Sequence, residues 1–173
     1  MGKGYVLLDL SLNRRGRGDL RFAVGKSEQT LRIRTNVLRH FKKHQQTRGW
    51  SLEAGGQLFA KLSLEEVVIE KATGPRRSDL RSRTSYVPDP VVEQSEIDHW
   101  YRKGLHYVGD WHTHPESVPQ ASGSDRASIR DSFIRSQHSL RGFLLIIVGT
   151  ERIPTGLYVS LNNTESELVL AGL

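Results

Sequence analysis

The stretch Gly109-Asp110-Trp111-His112-Thr113-His114-Pro115, followed after six residues by Ser122-Gly123-Ser124-Asp125, concentrates groups that bind metals and move protons. On a β-strand residues i and i+2 face the same side, so His112 and His114 project their imidazoles together, and Pro115 stops the ladder and turns the chain. Asp125 falls one turn into a helix opened by Ser122, and if that helix start folds back over the strand end, its carboxylate completes a His, His, Asp set. Three protein ligands with a fourth position left to water is the pattern of a catalytic zinc. Such an ion brings the pKa of water near neutrality and polarises a carbonyl. Each part also has an ordinary reading: His-x-His can fall on a strand by coincidence, and Ser-x-x-Asp resembles a capping box.

Composition narrows the choices. The 173 residues include no cysteine, so disulfides, Cys-based zinc sites and thiol nucleophiles are excluded, and any metal must use His and carboxylate. With 36% hydrophobic and 25% charged residues the chain is expected to form one globular domain over residues 1–173. The longest apolar run, Phe143 to Val148, is far too short to span a bilayer, and Met1-Gly2-Lys3-Gly4 lacks the apolar core of a signal peptide, so a cytoplasmic location is expected. The net charge of +6 is concentrated early: residues 1–50 hold twelve Lys/Arg against three Asp/Glu. That face suits an acidic partner, or nucleic acid less well, because the tract Arg14-Arg15-Gly16-Arg17-Gly18 is short and has no interleaved aromatics.

Apolar periodicity supplies the elements that must position these groups. Strands are expected at Tyr5–Leu12, Leu31–Arg34, Glu53–Leu62, Val67–Thr73, His106–Thr113, Phe143–Val148, Gly156–Leu161 and Glu167–Leu170. A first helix, capped by Thr35 or Asn36, should run to about Thr47 with Val37, Leu38 and Phe41 inward, and His40 and His44 on a solvated face. A second should start at Pro90 with Val91, Ile97, Trp100 and Tyr101 inward and close at Gly104, after a basic loop over Gly74–Ser85. A third, from Ser122, should bury Ile129, Phe133 and Ile134. Strands interspersed with about three helices imply an α/β or α+β fold in which helices flank one mixed, curved sheet.

The pattern His112-x-His114-Pro115, six residues, Ser122-x-x-Asp125 resembles that of the JAMM or MPN+ zinc metalloproteases. The likeness extends over about residues 31–160. In that family a glutamate precedes small residues and an apolar run, and Glu53-Ala54-Gly55-Gly56-Gln57-Leu58-Phe59 looks like this segment; Ala60 departs from the glycine common there. The resemblance implies that His112, His114 and Asp125 hold one zinc, that Glu53 is the general base, and that the Ser122 hydroxyl stabilises the oxyanion. Tyr107 to Glu116 is similar to a bacterial subgroup encoded beside ubiquitin-conjugating-like enzymes and cyclic-nucleotide synthases (CD-NTases) in anti-phage operons. This implies a deconjugating isopeptidase whose partners are the C-terminal tail of a conjugated CD-NTase or ubiquitin-like modifier, its target, and a conjugating-enzyme-like operon partner. Processing of another ubiquitin-like or sulfur-carrier protein, or a metal-free MPN docking module, stays open at this point.

Overall fold

The computed structural model describes residues 18–173. In chain order the elements are β1 (Leu20–Ala23), β2 (Thr30–Ile33), α1 (Thr35–His44), β3 (Gly55–Leu62), β4 (Glu66–Ala72), β5 (Leu80–Arg81), β6 (Tyr86–Val87), α2 (Pro90–Tyr101), β7 (His106–Thr113), α3 (Gly123–Arg135), β8 (Phe143–Val148), β9 (Leu157–Asn162) and β10 (Glu167–Val169). Eight strands form one mixed sheet in the order β1-β2-β4-β3-β7-β8-β9-β10, with β2·β4 and β7·β8 parallel. The sheet curls far enough for its two ends to meet: Phe22 bridges to Gly172, and Leu173 N donates to Arg21 O at 2.9 Å. This is the α+β arrangement expected, a mixed curved sheet with three helices. No described helix is long and apolar enough to cross a membrane. The expected strand Tyr5–Leu12 lies outside the described residues.

Strand β8 explains the two cores. Leu144, Ile146 and Val148 join Ile33, Val37, Phe41, Ile69 and Trp111 beneath α1, whereas Phe143, Leu145 and Ile147 join Ile129 and Tyr158 beneath α3. A strand buried on both faces reads as a continuous apolar run, which is what Phe143–Val148 is.

Several expectations need correction. Helix α1 ends at His44 because Gln45 leaves in extended conformation and its side-chain amide donates to Gly149 O (2.8 Å) and Glu151 O (2.9 Å). Its first turn is capped from a neighbouring segment, Asp19 Oδ1 accepting from Thr35 N (2.9 Å) and Thr35 Oγ1 (3.0 Å). In α2, Val91 and Tyr101 are exposed, since Glu93 and Glu96 face inward to meet Arg76. Ile134 of α3 is exposed as well, leaving Ile129 and Phe133 to pack. His40 and His44 are not solvated: their rings lie 5.2 and 5.9 Å from that of Trp111, and His40 Nε2 is 2.8 Å from Gly74 O. Burial, reinforced by the neighbouring His40, pushes His44 down to about 4.

The strand that ends at the two histidines carries a bulge. Leu58 pairs with Gly109 and Phe59 with Tyr107, so Val108 is left over. Gly109 has φ +139°, and a Cβ there would lie 2.0 Å from Leu144 O, so the parallel pairing with β8 requires glycine. The bulge re-phases the strand. Val108 and Trp111 both join the core under α1, while Tyr107 and Asp110, three residues apart, share the α3 side, the Tyr107 hydroxyl donating to Asp110 Oδ1 at 2.8 Å.

Candidate metal centre

His112 stands at the penultimate position of β7, and His114 continues the strand by one bond, its N–H donating to Val148 O at 2.9 Å. Pro115 has no N–H to extend the ladder. The chain then crosses residues 115–121 and is pinned to the end of β8: Thr150 N donates to Glu116 O (2.8 Å) and Glu151 N to Ser117 O (3.0 Å). This return delivers the start of α3 to the histidines. Ser122 is its N-cap in a full capping box, Asp125 N donating to Ser122 Oγ (3.2 Å) and Ser122 N to Asp125 Oδ2 (2.7 Å). A box uses a residue of this type at both positions, so capping and aiming of the Asp125 carboxylate are the same event.

His112 Nε2 and His114 Nε2 are 3.1 Å apart, Asp125 Oδ1 is 3.2 Å from the first and Asp125 Oδ2 3.6 Å from the second. Donors about 2.0–2.2 Å from a tetrahedral ion sit roughly 3.3–3.5 Å from one another, so the spacing of the three groups is compatible with zinc. Their protonation suits the same task. Burial, with His112 alongside, lowers the pKa of His114 and favours the neutral ring. Burial acts to raise Asp125, but hydrogen bonds from His112 and Ser122 outweigh it and hold the carboxyl well below the usual carboxylate range. His114 Nδ1 faces Glu116 at 3.6 Å, which orients the ring with Nε2 inward.

Glu53 belongs to the same cluster: its carboxylate, His112 and His114 each bring a ligand atom within 4.8 Å of the other two. Burial raises its pKa, the Asp125 charge adding to the effect and His112 opposing it. Glu53 precedes β3 rather than lying on it. The crowding around the glycine pair that follows comes from protein: a Cβ on Gly55 would meet the Tyr86 ring at 2.6 Å, and one on Gly56 would meet Thr73 O at 2.0 Å. The glycine pair thus serves the approach of β3 to residues 73–86. Ser122 Oγ, which accepts from Asp125 N, is also 2.8 Å from Ser124 Oγ.

Three residues that shape the site carried no sequence signal. Thr113, between the histidines, is fully buried; its hydroxyl accepts from Ala54 N (3.0 Å) and donates to Gln46 Oε1 (3.0 Å). Gln46, also buried, spends its amide hydrogens on Ser51 O (3.3 Å) and Arg83 O (2.8 Å). Arg76, its side chain only 8% exposed, gathers Glu96, Glu93 and Asp79 and contacts Tyr86 Oη at 3.2 Å. A threonine inside His-x-His reads as a spacer, and a lone glutamine or arginine in a polar loop reads as solvated; only their distant partners distinguish them.

The family described as prokaryotic homologs of the JAB domain matches residues 35–161. Curated proteins similar to this chain include a CD-NTase/cGAS isopeptidase of Pseudomonas aeruginosa (strain BWHPSA011 / Pa011), 29% identical over 143 residues, covering 81% of this chain and 87% of that protein. Another is a CD-NTase/cGAS isopeptidase of Escherichia coli (strain TW11681), 27% identical over 127 residues and covering 72% and 79%. A probable metalloprotease, y4qB of Sinorhizobium fredii (strain NBRC 101917 / NGR234), is 40% identical over 95 residues, 52% of this chain and 57% of that protein. Among solved structures, protein DSY2949 from Desulfitobacterium hafniense shares the fold with a TM-score of 0.58 at 15% identity, covering 79% of this chain and 87% of that one.

Proposed function

The chain belongs to the prokaryotic homologs of the JAB domain, the JAMM/MPN group, and from that membership we propose that it is a zinc-dependent isopeptidase that releases a conjugated CD-NTase from its targets. The observation that carries the reading is the convergence of His112 Nε2, His114 Nε2 and the Asp125 carboxylate at 3.1–3.6 Å, with a second carboxylate, Glu53, within 4.8 Å of both histidines. The relatives named CD-NTase/cGAS isopeptidase support the substrate class. A role in anti-phage defence in the cytoplasm follows from such a substrate.

In this reading His112, His114 and Asp125 are the three ligands, the Asp125 carboxylate lying 3.2 and 3.6 Å from the two Nε2 atoms, and Glu53, whose carboxylate also reaches the histidines, is the base. A zinc ion held there supplies Lewis-acid polarisation of the scissile carbonyl and lowers the pKa of water. Glu53, its pKa raised by burial, accepts a proton from the attacking water and passes it to the leaving amine. The Ser122 hydroxyl accepts from Asp125 N and pairs with Ser124 Oγ at 2.8 Å; with Ser124 as the donor in that pair, the Ser122 O–H turns toward the oxyanion of the tetrahedral intermediate.

The test uses purified chain and a fusion joining a CD-NTase C-terminus to a second protein. The wild type should contain about one zinc per chain and cleave the fusion at the junction; His112→Ala should lose both metal and cleavage. Glu53→Gln should keep the metal and cleave on the order of 10²-fold more slowly. A wild type that binds zinc and leaves CD-NTase fusions intact while cutting another modifier would move the substrate to a different ubiquitin-like protein. Absence of zinc after purification from zinc-containing medium would overturn the metal site.

A further inference from the structure

We propose that Arg81 is a positioning residue for the reaction: its guanidinium holds the backbone of Glu53 from the β5–β6 ribbon and so sets where that carboxylate stands relative to the histidines. The inference rests on the reading of Glu53 as the proton carrier and extends it to a residue that touches neither metal nor substrate.

Glu53 lies outside any strand, so neither its N–H nor its C=O is fixed by the β3·β7 ladder, whose last pair is Gly55 with His112. Ala54 is secured from the β7 side, where Thr113 N donates to Ala54 O at 2.8 Å and Ala54 N donates to Thr113 Oγ1 at 3.0 Å. Glu53 is secured from the opposite side and by the ribbon alone. Its N–H donates to Ser82 O at 2.7 Å, and its carbonyl accepts from Arg81 Nε at 2.6 Å, while a second Arg81 nitrogen reaches Leu52 O at 3.3 Å. A planar guanidinium that spans two successive carbonyls fixes both the position and the orientation of that peptide, a task a single ammonium cannot perform.

Nothing apolar substitutes for this hold. Trp50 is 74% and Leu52 45% exposed, so the segment approaching Glu53 has no buried side chain to anchor it. The ribbon is well anchored in turn: Tyr86 Oη donates to Asp79 Oδ2 at 3.0 Å, and the Tyr86 ring lies against Gly55. Arg81 therefore adds to the Gln46 bond on Ser51 O and the Ser82 bond on Glu53 N the hold on the Leu52 and Glu53 carbonyls that fixes the peptide between them. Catalytic groups must be held within about 0.5 Å of their working position, and a displacement of about 1 Å can cost on the order of 10²-fold in rate.

The experiment is a double-mutant cycle on the zinc-loaded full chain, measuring kcat and KM for the fusion substrate, zinc content and melting temperature. Arg81→Ala should keep zinc, lower kcat by about tenfold or more with a smaller change in KM, and recover part of the loss when methylguanidinium is added. Arg81→Lys, which retains the charge and one donor nitrogen but not the planar fork, should fall between wild type and alanine; it carries the same cycle if the alanine variant does not fold. The discriminating result is non-additivity: in the Glu53→Gln background, Arg81→Ala should cause little further loss, because the residue acts through the group already removed. Full additivity, or an Arg81→Ala enzyme with wild-type kcat, would overturn the positioning role while leaving the isopeptidase reading intact. Wild-type cleavage by Glu53→Gln would instead overturn the assignment on which it rests.

Discussion

Strands β7 and β8 begin beside an apolar cavity of about 560 Å³ walled by Leu31, Leu62, Val67, Val108, Leu144 and Leu161, whereas β7 ends where Thr113, Gln46, Glu53, His112 and His114 meet in a mesh of directional bonds. The first region is defined by what it excludes. Its wall is largely aliphatic, with Glu28, Gln29 and Arg141 also lining it; dispersion contacts have no preferred angle, and a gap is tolerated. The second region leaves little slack, because each buried hydroxyl, amide and peptide has a named partner at a fixed angle, and losing one strands another. One sheet thus places tolerance at one end and registration at the other, and chemistry that depends on sub-ångström placement sits at the second.

The comparison predicts unequal responses to changes of similar size. Thr113→Val should be the most damaging: it is nearly isosteric, yet it leaves Ala54 N–H without an acceptor and Gln46 Oε1 without its donor in a dry interior. A loss of about 2–4 kcal/mol in urea denaturation is expected, with reduced turnover. A loss under about 0.5 kcal/mol would show that the mesh is as slack as the cavity wall.

Glu93 gives an intermediate, pH-dependent effect. Burial, with Asp110 as its next neighbour, pushes this carboxyl up to about 7 despite Arg76, and Asp79 and Glu96 also face it. The folded protein therefore keeps a proton that the unfolded chain has released between pH 4.5 and about 7, so stability falls as pH rises through that window and the full cost is present above it. Glu93→Gln should gain on the wild type by on the order of 1 kcal/mol between pH 5 and pH 8. Denaturation curves at the two values check it; a constant difference would contradict the assignment.

Leu62→Ala should matter least. The side chain is already 37% exposed and borders the cavity, so truncation creates little new void, and a change under about 1 kcal/mol with unchanged zinc content and kcat is expected. A large loss of turnover would mean that the two ends are mechanically coupled.

The same contrast explains what could be read before the fold was known. His112 pairs with His114 and Ser122 with Asp125 because a two-residue strand period and a one-turn helix period are local facts of the chain; that the two pairs meet depends on the return pinned to the end of β8. The limits of β7 and β8, His106–Thr113 and Phe143–Val148, coincide with those expected because alternation and unbroken apolarity are local too. Distant partners hid the rest. Strand β1 depends on residues 171–173, the inward glutamates of α2 on Arg76, the burial of His40 and His44 on Trp111, and the β5–β6 ribbon on Tyr86 and Asp79. The bulge at Val108–Gly109 was likewise invisible, since a glycine in an alternating strand is equally compatible with an unbroken ladder.

The junction between Phe22 and Gly172 has a bearing on how the chain is made. Strand β1 is among the first described parts to leave the ribosome, and the partners its outer edge has among the described residues, residues 171–173, arrive about 150 positions later. During that interval the N–H and C=O groups that later meet residues 171–173 lack those partners, and an edge in that state can pair with an extended neighbour, including another nascent copy. Closure of the curl is therefore a late, high-contact-order event, and slow translation across the last strands lengthens the period of exposure.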